Sequence, residues 1–358
     1  MKERHFFAGS NTAKGFYSYF DYIINLEEAD HYYILKGGPG VGKSSFMKNF
    51  ASHMSSAGHS IEYIHCSGDK DSLDAIVVPA LKIAFVDGTA PHTIDPKYPG
   101  AVDEIINLGY FFDSRQISMH KEEVIRISQA KSMLYKSAYR YLDAARIIQD
   151  EIHTIYDSLT DDLLFHDLCE EVKNELFREG KPSKQPGHIR KLFSESYTTD
   201  GYISYTDSLC SGAKVWAIIG ENINYTAKLL KEIVKEATEN GFDTECFYHP
   251  LTPEKLQHVF LPQLNLMIRS EERGKEMNKK ISLDKTIDLW RLMDTNRLEV
   301  QSSDISEKLK LYDSLINLAL KKLSEAKKLH GNLEKIYVGN MDFNGVNKYF
   351  NTILARYR

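Results

Sequence analysis

The chain reads as an α/β protein of two tandem units, each a parallel sheet with helices on both faces and each carrying a helical arm. Three observations predict this. β-rich runs alternate with helical periods, the same layout is written twice along the chain, and a glycine loop stands where a strand hands over to a helix. At 358 residues the chain suits two domains of about 150 residues each. The expected units cover 1–179 and 189–358, joined by a linker over 180–188. There Gly180-Lys181-Pro182-Ser183-Lys184-Gln185-Pro186-Gly187 collects turn formers.

The repeat is the strongest of the three observations. Setting Arg4–Tyr22 against Arg190–Ser208 matches Arg4/Arg190, Phe7/Phe193, Ser10/Ser196, Thr12/Thr198, Gly15/Gly201, Ser18/Ser204, Tyr19/Tyr205 and Asp21/Asp207. A shift of 183 then aligns Gly58/Gly241, Glu62/Glu245, Leu73/Leu256, Pro79/Pro262 and Leu81/Leu264. Further on, a shift of 181 aligns Leu134/Leu315, Ala138/Ala319, Leu142/Leu323, Ala145/Ala326, Tyr156/Tyr337 and Asp161/Asp342. The first four of these fall on one helical stripe.

In the first half, His31–Lys36 reads as a strand leading into the glycine loop. A helix from Ser44 to about Ser56 ends near Gly58, and a strand follows at Ile61–Cys66. An apolar helix or turn is expected around Leu73–Ala80 and a strand at Ile83–Val86, which together imply a parallel sheet. From about His120 to Leu159 the apolar residues keep a helical period too long for an ordinary globular helix. An arm is expected there, with its counterpart at Ser306–Tyr337.

The pattern G-x-x-x-x-G-K-[ST] occurs at Gly37-Gly38-Pro39-Gly40-Val41-Gly42-Lys43-Ser44, with Ser45 following. Its glycines let backbone N–H groups turn inward around a phosphate, and the helix N-terminus adds the positive end of its dipole. In this pattern Lys43 reaches the β- and γ-phosphates and the Ser44 hydroxyl ligates Mg²⁺. A carboxylate on a neighbouring strand is the next part needed. Ile83-Ala84-Phe85-Val86-Asp87 supplies it, making Asp87 the expected magnesium acid. The loop Gly88–Gly100 follows at the ligand-binding edge of the sheet, with His92, Asp95, Asp103 and Glu104 as candidate γ-phosphate sensors or catalytic groups. A Pro-rich surface turn without chemistry is the alternative. Gly88 occupies the place where many ATPases carry a catalytic Glu, so a carboxylate base would have to come from elsewhere.

The second half lacks this equipment. Gly220–Ala227 occupies the loop position, so Tyr225 replaces the second glycine, Thr226 the lysine and Ala227 the serine, while Ser270 stands for Asp87. Lys228 is two places late. This half is expected to be a pseudo-site.

A formal charge of -5 gives no general attraction to nucleic acid. The dispersed cysteines Cys66, Cys169, Cys210 and Cys246 suggest neither a disulfide framework nor a zinc site, so a reducing, cytoplasmic setting is expected. The longest apolar run, Ala75–Val86, is interrupted by Pro79 and Lys82, so no membrane span is expected.

The glycine loop, the segment Asp87-Gly88-Thr89-Ala90-Pro91-His92, the segment Asp95–Glu104 and the tandem layout together resemble a little-studied family of bacterial tandem P-loop ATPase-like proteins. The resemblance covers nearly the whole chain. It implies a P-loop NTPase fold in each half and ATP as ligand, and it names no reaction. In that family the second half can also carry a complete loop, from which Tyr225, Thr226 and Ala227 depart. The leading expectation is a Mg²⁺-dependent ATPase using the first-half site. The alternatives are a small-molecule or nucleotide kinase and a non-catalytic nucleotide-dependent switch or scaffold, with an unidentified small-molecule or protein partner.

Overall fold

The computed structural model describes residues 3–178, 185–271 and 281–357; most of the expected linker, 180–184, lies outside them. The first half runs β1 (Glu3–Phe6), β2 (Gly9–Thr12), β3 (Gly15–Ser18), β4 (His31–Lys36), α1 (Lys43–Ser56), β5 (Ile61–Cys66), β6 (Asp69–Val78), β7 (Ile83–Asp87), β8 (Asp103–Asn107), α2 (Ser114–Met119), α3 (Lys121–Leu159) and α4 (Asp162–Phe177). The second half repeats the plan as β9 (Ile189–Leu192), β10 (Glu195–Thr198), β11 (Gly201–Ser204), α5 (Thr206–Leu209), β12 (Lys214–Ile219), α6 (Ile223–Glu239), β13 (Thr244–Tyr248), β14 (Leu256–Leu261), β15 (Leu266–Glu271), β16 (Lys285–Asp288), α7 (Thr295–Val338) and α8 (Phe343–Leu354).

Each half builds a six-stranded sheet in the same order, β1-β5-β6-β7-β4-β8 and β9-β13-β14-β15-β12-β16. The repeat extends to backbone detail. Lys82 and Asn265, a matched pair, are the non-glycine residues with positive φ among the described residues, at 53° and 47°.

Two expectations are corrected. The sheets are mixed, because Leu73–Val78 is strand and only Pro79–Leu81 forms a helical turn. β6 therefore runs antiparallel to both β5 and β7, while β4 lies parallel to β7 and β8. The second correction concerns the layers. Helices cover one face of each sheet, and the other face packs against its twin. Ile34, Ala75, Val77, Ala84 and Val86 share a core with Val215, Phe247, Phe260 and Met267. Strands this apolar on both sides must be buried on both sides. The second sheet does what a second helix layer was expected to do, and the layers run helix, sheet, sheet, helix.

Repeat partners meet along a pseudo-twofold axis. Phe7 and Phe193 bridge each other, and the Ser10 and Ser196 hydroxyls lie 2.9 Å apart. β2 pairs with β10 in a shared four-stranded sheet, β11-β10-β2-β3. Arg4 donates to Glu62 at 2.9 Å and to Glu245, while Arg190 donates to Glu62 at 2.7 Å and to Glu245 at 3.2 Å. This closes a buried ring of two matched arginines and two matched glutamates.

The arms cross that axis antiparallel. Ala138, Leu142 and Ala145 pack with Ala319 and Leu323, while Ile152 and Tyr156 reach Ile305. At 1.5 Å per residue α3 is about 58 Å long, enough to leave its own half and end on the other. α4, the helix that follows α3, then packs on α6 through Leu168, Cys169 and Val172. α8, which follows α7, packs on α1 and the first sheet through Val346, Phe350 and Ile353. The packing units thus exchange their terminal helices and do not follow the chain boundary expected between 1–179 and 189–358. No helix among the described residues is long and apolar enough to cross a membrane.

Candidate functional site

The glycine loop follows β4, whose neighbour β7 brings Asp87 level with Leu35. Gly42 caps α1 at φ +94°, a left-handed conformation that favours glycine. The first turn of α1, beginning at Lys43, directs N–H groups that have no intrahelical partner into the loop. Lys43 Nζ donates to the carbonyls of Gly37 at 3.1 Å and Gly38 at 2.9 Å and lies 3.5 Å from Asp87 Oδ2. Ser44 Oγ accepts from the Leu73 N–H at 3.1 Å, and Asp87 Oδ1 accepts from the Thr89 N–H at 2.9 Å. Lys43 and Asp87 therefore face each other beside the loop, and the Ser44 hydroxyl, next along α1, rests on the backbone of β6. Gly37, Gly38, Pro39, Gly40 and Val41 form the loop beside them, and Ser45 is exposed on α1.

Gly88 has a steric reason to be glycine. A Cβ there would stand 2.4 Å from Ile34 Cγ2. The position cannot supply the catalytic Glu found in many ATPases.

Two carboxylates that sequence reasoning passed over join the site. Asp74 is buried on β6 and flanks Asp87, since Ala75 pairs with Val86. Its Oδ1 lies 3.5 Å from His92 Nε2, and the Cys66 thiol, pushed well up by burial and by Asp74, stands beside it. Reading Leu73–Ala80 as helix or turn hid this acid, although an Asp heading an apolar strand is a visible signal. Glu334 comes from the arm of the other half. His92 itself stacks on Phe20 at 4.4 Å. Burial alone would lower its imidazole, but the carboxylates of Asp74 and Asp87 outweigh burial and the net shift is upward.

The remaining candidates divide. Asp95 is exposed and only 3.7 Å from Lys36 Nζ, itself held by the carbonyls of Gly88 and Ile94 at 2.8 and 2.6 Å. Asp103 accepts from the N–H groups of Lys97 and Tyr98 and shapes the loop from within. Glu104 is not brought to the site. It pairs with Tyr33 on the edge strand β8 and is bound at 2.6 Å by Arg356. Its chain position close to the loop misleads because β8 starts at the opposite end of the sheet from the glycine loop.

The chain matched no protein-family model, and comparison with curated proteins and solved structures found no similar one.

Each loop is covered by the arm that begins in the other half. A Cβ on Gly38 would stand 2.7 Å from Tyr337, and one on Gly40 2.8 Å from Val338 and 3.3 Å from Glu334. In the second half the same contact is polar. Asp157 of α3 accepts from Asn222 Nδ2 and Asn224 Nδ2, both at 2.9 Å, and Tyr225 donates to Asp162 at 2.6 Å. Lys228 sits 4.1 Å over the Tyr225 ring. The cavity left there, beside Gly220, Thr226 and Ser270, holds about 20 Å³, room for one water. A larger groove of about 360 Å³ runs between α3 and α7 at Arg126, Ile127, Leu329 and Ile336, and no residue of the glycine loop lines it.

Among the described residues no group of three or more His, Cys, Asp or Glu side chains could hold a metal by itself. A magnesium ion here would depend on Ser44, Asp87, water and the ligand's own oxygens, the habit of Mg²⁺ at phosphate sites. The residues present fit that arrangement: a hydroxyl with a lone pair to spare, one acid on the adjacent strand, and a second buried acid, Asp74, whose Oδ2 has no well-directed donor among the described residues.

Proposed function

We propose that the chain binds ATP with Mg²⁺ at Gly37–Ser44 and hydrolyses it there, while the second half is a structural or regulatory pseudo-site. The observation that carries this is the convergence of Lys43, Ser44 and Asp87 at the N-terminus of α1. Lys43, now bonded to the loop's own carbonyls, would exchange them for the β- and γ-phosphate oxygens. The N–H groups of the first turn would hold the β-phosphate, and Ser44 and Asp87 would hold the metal. When bound, the metal would neutralise charge on the phosphates and orient them. His92, its imidazole shifted upward by Asp74 and Asp87 against its burial, would stand beside the site, and Asp74 is the carboxylate best placed to orient a water.

A nucleotide-dependent switch with little turnover is the second reading, favoured by the space at Gly88 that excludes a base in the usual place. The chain's tight Asn222–Tyr225 latch supports one nucleotide per chain under either reading. Lys43→Ala tests the shared premise. A ligand at a hundred times its dissociation constant stabilises a protein by about 2.7 kcal/mol, so Mg-ATP should raise the melting temperature of the wild type and hardly move the variant. Equal shifts in the two would remove the assignment.

A further inference from the structure

The arms do more than cover the glycine loop, because they bring a half-buried cation and a polar relay to it. Lys131 lies on α3 and is half-buried. Among the described residues it makes no ion pair with a carboxylate. Its near partner is His330 Nδ1 on α7, at 3.3 Å. One turn further along α7, Glu334 Oε1 lies 3.6 Å from His330 Nε2. Glu334 in turn packs on the loop, its Cβ 3.3 Å from where a Gly40 Cβ would stand. Positions 330 and 334 share one face of the helix, so the three groups form a line from Lys131 to the loop.

The charges agree with this geometry. Burial and the Lys131 charge push His330 down to about 4, so its ring is neutral near pH 7. With Lys131 donating to Nδ1, the ring carries its proton on Nε2, facing Glu334. Burial raises the Glu334 carboxyl, with Lys131, Lys43 and Lys327 opposing. Burial lowers the Lys131 ammonium and Glu334 opposes it, so the cation is poorly compensated where it stands. Lys131 also feels Cys66, at the end of β5. Tyr135, one turn further along α3, sets its hydroxyl 3.4 Å from where a Gly68 Cβ would stand, just past the end of β5, so this part of α3 lies over the edge of the sheet where Asp87 ends β7 and Asp74 flanks it on β6.

We propose that Lys131, positioned by His330 and Glu334, contacts the terminal phosphate of the nucleotide and makes the site prefer a nucleoside triphosphate to a diphosphate. This rests on the assignment of Gly37–Ser44 as a nucleotide site and adds the arms as its γ-phosphate reader. A third anionic phosphate supplies the carboxylate-like partner that Lys131 lacks, and the added contact ties α3 and α7 to the state of the nucleotide. Lys43 and the first turn of α1 hold the inner phosphates, so a diphosphate would engage the loop without engaging Lys131.

The test is titration of the full chain with Mg-ADP and with the non-hydrolysable β,γ-imido analogue of ATP. The wild type should bind the analogue more tightly. Lys131→Met should weaken the analogue about tenfold or more, a loss of roughly 1.4 kcal/mol, and leave Mg-ADP within about twofold. His330→Leu, which removes the acceptor and keeps the bulk, should give a smaller loss of the same sign, and it reads the same preference should Lys131→Met fail to fold. Equal weakening of both ligands, or an unchanged preference, would overturn the role of Lys131. A wild type that binds neither ligand would instead remove the nucleotide assignment itself.

Discussion

Replacing Gly40 with Ala tests whether the arm of one half is seated on the loop of the other. Gly40 has φ +72°, so any side chain there pays about 1–2 kcal/mol for a left-handed backbone. Its Cβ would also stand 2.8 Å from Val338 Cγ2, closer than packed atoms tolerate, and 3.3 Å from Glu334 Cβ, a tight contact. Overpacking of this kind costs a further 1–3 kcal/mol or so. Gly58 supplies the control, because it has φ +93° and nothing within 4 Å of a Cβ. Gly58→Ala should therefore show the backbone cost alone, about 1–2 kcal/mol. The excess at Gly40 belongs to the arm. Urea denaturation measures the difference, and amide exchange locates it. Exchange should accelerate in the last turn of α7, around Glu334 to Val338, in Gly40→Ala and not in Gly58→Ala. Val338→Ala should recover part of the excess in the double variant, a coupling of about 0.5–3 kcal/mol. Equal costs at the two glycines, with exchange in α7 unchanged, would mean that the arm does not bear on the loop.

Asp87→Asn should keep much of the nucleotide affinity and lose turnover, read as phosphate release at saturating Mg-ATP; undiminished release would move the metal acid to Asp74. The raised imidazole of His92 gives stability that is fully present below its unfolded pKa near 6.5 and is lost as pH rises through the higher folded value. The urea midpoint of the wild type should fall across that window relative to His92→Gln, and parallel pH profiles would show that the ring does not titrate there. Removing a carboxylate from the ring on the axis, by Glu245→Ala, should cost about 3–5 kcal/mol because it leaves buried arginine charge uncompensated. Glu104→Ala, at the more exposed pair with Arg356, should cost about 1 kcal/mol or less and leave nucleotide binding unchanged, and a large loss of binding would return Glu104 to the site.

The repeat was legible because its identities have a reason to match. Arg4 and Arg190, Phe7 and Phe193, and Ser10 and Ser196 are in contact, or share partners, across the axis, so each must suit its own copy. The loop, Lys43, Ser44 and Asp87 were legible because their chemistry is local to one strand and one helix. The layers were not. An apolar strand such as Leu73–Val78 shows that both its faces are buried, but not whether a helix or another sheet buries them. The exchange of α4 and α8 was hidden for a similar reason. The length of α3 signals an arm, while the direction in which it crosses depends on Ala138, Leu142 and Ala145 finding Ala319 and Leu323. Asp74 was missed with the strand that holds it, and Glu104 was overvalued because distance along the chain stood in for position on the sheet.

The central claim is that the halves are unequal, with one nucleotide bound at Lys43 and the second loop held shut by Asp157, Asn222, Asn224 and Tyr225. Calorimetric titration of the full chain with Mg-ATP tests it most directly. The account predicts one site per chain, lost in Lys43→Ala and retained in Thr226→Val. Two comparable sites, or one site that survives Lys43→Ala, would contradict it.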